Sequence, residues 1–96
     1  MMKNIAKNVY NILKNYYNEK HIKVYNFYKN KIRIKYQYDD IKIEFVYIYN
    51  EHKTLLNNIE QIVLLIDDLV QLIYKRGYIN GSNNVINVWF FIIYSI

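Results

Sequence analysis

The chain has 96 residues, a formal net charge of +5 and neither cysteine nor proline. This length accommodates one hydrophobic core, so we expect residues 1–96 to form a single domain with no second domain among them. Without cysteine the chain cannot form a disulfide framework or a thiolate metal site, which is typical of proteins from a reducing cytoplasm.

Apolar residues at helical spacing predict a first helix from about residue 3 to 18. Its inward stripe contains Ile5, Val9 and Leu13, and Asn4 belongs to the residue types that cap helix N-termini. The uninterrupted apolar stretch of a secretory signal is not found here. We therefore expect a cytoplasmic protein, located in the host cytoplasm if a phage encodes it.

Three segments that alternate between polar and apolar residues follow the first helix and predict three strands. They are HIKVYNFY (21–28), KIRIKYQY (31–38) and IKIEFVYIY (41–49). The connections between them, at Lys29-Asn30 and Asp39-Asp40, are so short that only an antiparallel meander can use them.

A broad apolar face predicts a second helix that begins near Asn50 or Thr54 and ends at Lys75-Arg76-Gly77. After a loop at residues 78–84, VINVWFFIIYSI predicts a final strand that is apolar on both faces. The predicted fold class is α+β in the order αβββαβ: a three-strand antiparallel meander, a C-terminal strand, and two helices packed on one face of the sheet. Neither the predicted second helix nor the C-terminal segment has the run of about 20 apolar residues that spans a bilayer, so we expect no membrane association.

Strand parity assigns two sets of side chains to the sheet face that the helices leave open. The basic and aromatic set is the candidate surface for a partner or a nucleic acid: Lys23, Tyr25, Phe27, Lys31, Arg33, Lys35 and Lys42. The apolar set is a candidate protein interface: Val46, Ile48, Trp89, Phe91 and Ile93. A small monomer rarely exposes that much apolar surface, so a protein partner or a homodimer is the expected cover. Two alternatives are a curled sheet that hides the last strand and the opposite facing, with Val88, Phe90 and Ile92 outward.

The element order also resembles the core of the PD-(D/E)xK nucleases. In that family the second and third core strands bring an acidic residue and an E-x-K pair to one metal, and Asp40 and Glu44 stand at comparable places. Val46 occupies the position of the lysine, and Lys42 lies two residues before Glu44 instead. We therefore expect no enzymatic activity, no metal and no cofactor, and a degenerate nuclease is a remote alternative.

Residues 3–76 resemble the double-stranded RNA-binding domain in the order αβββα and in size. The lysine cluster that this family carries at the start of its second helix has no counterpart, since Glu51-His52-Lys53 contains one lysine. A different mode would use the open sheet face, where lysines contact phosphates of RNA or single-stranded nucleic acid while Tyr25 and Phe27 stack on bases.

The composition limits what the positive charge indicates about function. Eleven lysines against two arginines, together with abundant isoleucine, asparagine and tyrosine, are typical of an AT-rich genome. A short cysteine-free chain of this kind is similar in style to anti-CRISPR proteins and other small phage or mobile-element proteins. The predicted function is a non-catalytic module that binds a protein or a nucleoprotein complex, such as an inhibitor of a host defence nucleoprotein. Direct binding of RNA or single-stranded nucleic acid is the alternative.

Overall fold

The computed structural model describes residues 4–39, 41–75 and 86–93, with side chains described as far as Ile73. The elements are α1 (Ile5–Tyr16), β1 (Ile22–Tyr28), β2 (Lys31–Tyr38), β3 (Ile41–Ile48), α2 (Leu55–Lys75) and β4 (Ile86–Ile93). Two helices and an antiparallel sheet of β1, β2 and β3 form a small α+β domain, which confirms the predicted fold class in this form. No helix in these residues combines the length and the hydrophobicity that a membrane crossing requires.

The predicted C-terminal strand falls on the segment Ile86–Ile93, labelled β4 above. Its place in the sheet and the facing of its side chains stay predictions. The reason is that three residues of the predicted apolar interface have side chains outside the described part of the structure: Trp89, Phe91 and Ile93.

The core lies between the helices and one face of the three-strand sheet. Cross-strand partners share a face, so the register determines which side chains meet the helices. The buried residues on that face are Ile22, Ile32, Ile34, Ile41, Ile43, Phe45 and Tyr47. They form one cluster with the buried helix residues Ile5, Ala6, Val9, Leu13, Ile59, Ile62, Ile66, Leu69 and Ile73. The strands therefore place their alternate residues on the side away from the helices.

Asparagines determine where α1 begins. The side chain of Asn4 accepts a hydrogen bond from the backbone N–H of Lys7 at 3.1 Å, as an N-cap does. Asn26 of β1 accepts a bond from the N–H of Ala6 at 3.1 Å and donates to Oδ1 of Asn4 at 3.0 Å. Two N–H groups that lack partners within the helix are thereby bonded. The same contacts attach the start of α1 to β1.

A buried asparagine holds the loop between β3 and α2. Asn58 is 0 % exposed, and its Oδ1 accepts bonds from the Tyr47 hydroxyl at 2.8 Å and the Asn50 N–H at 2.9 Å. Its Nδ2 donates to the carbonyl oxygens of Asn50 and Thr54, both at 2.9 Å. Both polar atoms of the side chain are therefore satisfied, as burial requires. The helix begins at Leu55, directly after Thr54, one of the two predicted starts.

Tyr17 follows α1 and packs against Tyr36 of β2, with ring centroids 5.1 Å apart. Burial first, and the charges of Tyr36 and Asp67 next, raise the pKa of Tyr17 from 10.0 to about 12. The phenol therefore holds its proton more tightly in the folded chain than in the unfolded chain. Stability from this group is complete below the unfolded pKa and is lost as the pH rises from about 10 through about 12.

We expect Tyr17→Phe to reduce the alkaline destabilisation of the protein. Circular dichroism measures the Tm of each variant at about pH 8 and at about pH 11, and the fall in Tm between the two pH values is compared. Tyr16→Phe is the matched control, because Tyr16 is the adjacent tyrosine and is exposed. An equal fall in Tm for the wild type and for Tyr17→Phe would show that the Tyr17 phenol does not contribute.

Candidate functional site

The sheet face that points away from the helices, called the outer face below, carries alternate residues of β1, β2 and β3. The register arranges them in four rows across the strands: His21, Gln37 and Lys42; Lys23, Lys35 and Glu44; Tyr25, Arg33 and Val46; Tyr28, Lys31 and Ile48. Along the strands, the face therefore changes from cationic and polar at one end to aromatic and apolar at the other.

A β-bulge in β1 changes which aromatic side chains reach the outer face. The ladder advances two residues on β1, from Asn26 to Tyr28, while it advances one residue on β2. Phe27, the extra residue, contacts Arg33 on the outer face, and Tyr28 shares the face of its cross-strand partner Lys31. Both rings are exposed, by 52 % for Phe27 and 59 % for Tyr28. Simple alternation along β1 would place Tyr28 on the helix side of the sheet. Because of the bulge, Tyr28 lies on the outer face instead.

Each exposed ring on the outer face lies beside a cation, and we call these contacts the ring–cation pairs. They are Lys35 Nζ with Tyr25 at 5.8 Å, the Arg33 guanidinium carbon with Phe27 at 5.0 Å, and Lys29 Nζ with Tyr28 at 5.4 Å, each measured to the ring centroid. Separations below about 6 Å are attractive. Three rings and three cations are therefore held together along β1 and its neighbour.

The carboxylate of Glu44 lies within the outer face and is bound there. Nε of Arg33 is 3.5 Å from a carboxylate oxygen of Glu44, whose side chain is 18 % exposed. Among the residues that the structure describes, this is the one ion pair, so Lys23, Lys31, Lys35 and Lys42 have no carboxylate partner there. The outer face therefore keeps an excess of positive charge.

Two residues of the predicted apolar interface, Val46 and Ile48, lie in the described part of the outer face, and both are half-buried. Their role as an interface stays a prediction. Their cross-strand neighbours are Arg33 and Lys31, and the aliphatic stems of such side chains cover adjacent apolar groups. The predicted binding residues divide into an exposed set (Lys23, Tyr25, Phe27, Lys42) and a half-buried set (Lys31, Arg33, Lys35). The exposed members of the predicted set are therefore basic or aromatic.

A recessed cavity of about 190 Å³ lies at the end of the outer face where β1 begins. We call it the lysine pocket, and six residues of its wall are Lys20, His21, Lys23, Lys35, Gln37 and Lys42. Lys20 and His21 were missed by the sequence reasoning. Lys20 lies in the turn that precedes β1, where no alternating pattern assigns a side chain to a face. His21 opens the predicted strand 21–28, and its position two residues before Lys23 was the signal that could have identified it.

The nuclease-like positions do not assemble a metal-binding group in the part of the chain that is described. Glu44 is bound to Arg33, and Asp40 lies outside the described residues. No three histidine, aspartate or glutamate side chains among those residues are close enough together to hold a metal ion.

Comparison with known proteins adds no relative. No protein-family model, no curated protein and no solved structure matches the chain significantly. The function of this protein therefore has to be inferred from the geometry of its outer face.

Proposed function

We propose that the protein is a non-catalytic binding module whose outer face binds single-stranded nucleic acid. The observation that carries this proposal is the row of ring–cation pairs along β1, which the bulge extends to Tyr28. Surfaces that bind single strands combine aromatic rings, on which bases stack, with cations that follow the backbone phosphates.

The arrangement of these groups fits an extended chain. Lys31, Arg33 and Lys35 stand at alternate positions of β2, about 7 Å apart, while the exposed rings lie on β1, about 5 Å to the side. A single strand laid along this pair of strands meets rings on one side and cations on the other. Stacking on a flat sheet requires bases that are not stacked in a duplex, so a single strand is favoured over a double helix.

An unpaired carboxylate in the middle of the outer face would repel the phosphates of a nucleic acid. Glu44 instead forms an ion pair with Arg33, which compensates its negative charge within the face. The proposal also includes β4 as the fourth strand in the order β1-β2-β3-β4. That order leaves β1, which carries the rings, as an edge strand open to a ligand.

The test is a titration of the protein with a fluorescently labelled oligothymidine of about ten nucleotides, followed by anisotropy at several salt concentrations. We expect the logarithm of the binding constant to fall by about 3 per decade of salt, which corresponds to about four neutralised phosphates on a single strand. A duplex of the same length should bind more weakly at each salt concentration. Absence of saturable binding at low salt would contradict the proposal.

A second candidate function is docking on an acidic patch of a protein. The outer face presents tyrosine, phenylalanine and arginine at Tyr25, Phe27 and Arg33, residue types that often anchor protein interfaces. Its excess of positive charge would complement an acidic surface. Two partners of this kind are hypotheses. One is a host defence nucleoprotein that a phage-encoded protein would inhibit, and the other is a second copy of this chain. Failure to bind oligonucleotides at low salt would make this candidate the stronger one.

A further inference from the structure

The lysine pocket contains an arrangement that sheet stability does not explain. Lys23 and Lys35 are directly opposite each other in the β1–β2 ladder. Like charges in this relation repel each other and destabilise the sheet. A lysine face selected for solubility alone gains nothing from such a pair, whereas an anion held between the two ammonium groups turns repulsion into attraction.

Four lysines contribute to the wall of the pocket: Lys20, Lys23, Lys35 and Lys42. None of them has a carboxylate partner among the residues described, and the carboxylate of Glu44, which also lines the pocket, is paired with Arg33. The local charge is therefore strongly positive. A dianion matches it better than a monoanion, because each additional negative charge contacts a further ammonium group.

His21 adds an oriented ring to the same wall. Its Nδ1 lies 2.9 Å from the carbonyl oxygen of Gln37, and a carbonyl oxygen only accepts, so Nδ1 carries a proton. The ring also stands edge-on to Tyr38, with centroids 5.0 Å apart. These contacts hold the imidazole in place, and Nε2 can donate to a phosphate oxygen only when the ring carries both protons.

The pocket is continuous with the nearest ring–cation pair. Lys35 belongs to the pocket wall and also lies 5.8 Å from the ring of Tyr25, which is 44 % exposed. Tyr25 follows Lys23 by two residues on β1, a step of about 7 Å along the strand. A phosphate group beside Lys23 and Lys35 would thus place the base attached to it near the Tyr25 ring.

We infer that the lysine pocket binds the phosphate monoester at the end of a nucleotide chain, with the terminal base stacked on Tyr25. A phosphate monoester carries close to two negative charges at neutral pH, whereas an internal phosphodiester carries one. The pocket therefore distinguishes the end of a phosphorylated strand from its interior. This inference rests on the proposed function for the chain, although a free mononucleotide presents the same phosphate chemistry.

The experiment compares three decathymidines that differ in their ends: one with a 5′-phosphate, one with a 3′-phosphate and one with no terminal phosphate. Uridine monophosphate and inorganic phosphate are titrated separately, with backbone amide NMR shifts as the readout. We expect one of the phosphorylated strands to bind about tenfold more tightly than the strand without a terminal phosphate, as a few charge-assisted hydrogen bonds would give. The mononucleotide should shift the amides around His21 and Lys35.

The variant Lys20→Gln/Lys42→Gln is expected to abolish the preference for a terminal phosphate. Both side chains are exposed, so the core is unaffected. The matched control is Lys29→Gln/Lys31→Gln, which removes two lysines from the opposite end of the outer face. It should weaken binding of all three strands and keep the preference.

The outcomes separate this inference from the proposed function. Equal affinity for the three strands would overturn the terminal-phosphate site and leave single-strand binding intact. Mononucleotide binding in the pocket without any strand binding would support the phosphate site and overturn the proposed function. No binding of any probe would overturn both.

Discussion

Replacing Asn58 with leucine is expected to lower the free energy of unfolding by about 3 kcal/mol or more. The change removes the acceptor of the Tyr47 hydroxyl and of the Asn50 N–H, and it removes the donor to the carbonyl oxygens of Asn50 and Thr54. Each buried polar group left without a partner costs about 1–3 kcal/mol. A chain of this size has a total stability of only about 5–15 kcal/mol.

Urea denaturation followed by circular dichroism measures this effect. Asn57→Leu is the matched control, because Asn57 is the preceding residue of α2, the same residue type, and exposed. Its stability should change by less than about 0.5 kcal/mol. Tyr47→Phe combined with Asn58→Leu should cost less than the sum of the two single changes, because the two side chains share a hydrogen bond. Equal stability of the Asn58 and Asn57 variants would contradict the role given to Asn58.

Replacing Lys23, Lys31 and Lys35 together with glutamine is expected to weaken single-strand binding by about 100-fold at moderate salt. The slope of the logarithm of the binding constant against the logarithm of the salt concentration should also become less steep by about 2, because about three phosphate contacts are lost. This variant keeps the ion pair between Arg33 and Glu44, so the outer face retains its internal charge compensation. Fluorescence anisotropy with the labelled oligothymidine provides both numbers.

The control for this variant removes the same charge from elsewhere on the protein. Lys7, Lys14 and Lys53 are exposed and lie outside the sheet, and their change to glutamine lowers the net charge by the same amount. Its affinity should fall by less than about threefold, because separated charges in solvent are screened by salt. Equal losses in both variants would mean that net charge, rather than the outer face, determines binding.

The fold was largely accessible from the sequence because its strongest signals are local. The alternation in residues 31–38 and 41–48 assigns Ile34 and Phe45 to the core and Lys35 and Lys42 to the outer face, and the buried pattern agrees. Two-residue turns left only an antiparallel connection. These features depend on neighbours in the chain and require no knowledge of distant contacts.

Two features depended on contacts that local patterns do not contain. The bulge at Phe27 breaks the alternation and turns Tyr28 to the outer face, and nothing in the segment HIKVYNFY distinguishes it from a regular strand. From its residue type alone, Asn58 would be expected to face solvent. Its position four residues before Ile62 places it on the buried stripe of α2, and that spacing was the signal that could have identified it.

The lysine pocket could not be predicted from the sequence for a different reason. Lys23 and Lys35 become neighbours only once the register of β1 and β2 is known, and the bulge displaces that register by one residue. Lys20 joins them from a turn whose path is fixed by a hydrogen bond from the His21 N–H to the Asn18 carbonyl. Composition showed that the protein is basic, but it could not show where the cations converge.

Backbone amide NMR mapping with an oligothymidine of about ten nucleotides tests most directly whether the outer face is the binding surface. We expect saturable shifts at Lys23, Tyr25, Arg33 and Lys35, while the amides of α1 and α2 remain unchanged. Saturable shifts confined to the helices, or no shifts at low salt, would contradict the assignment of the binding surface to the outer face.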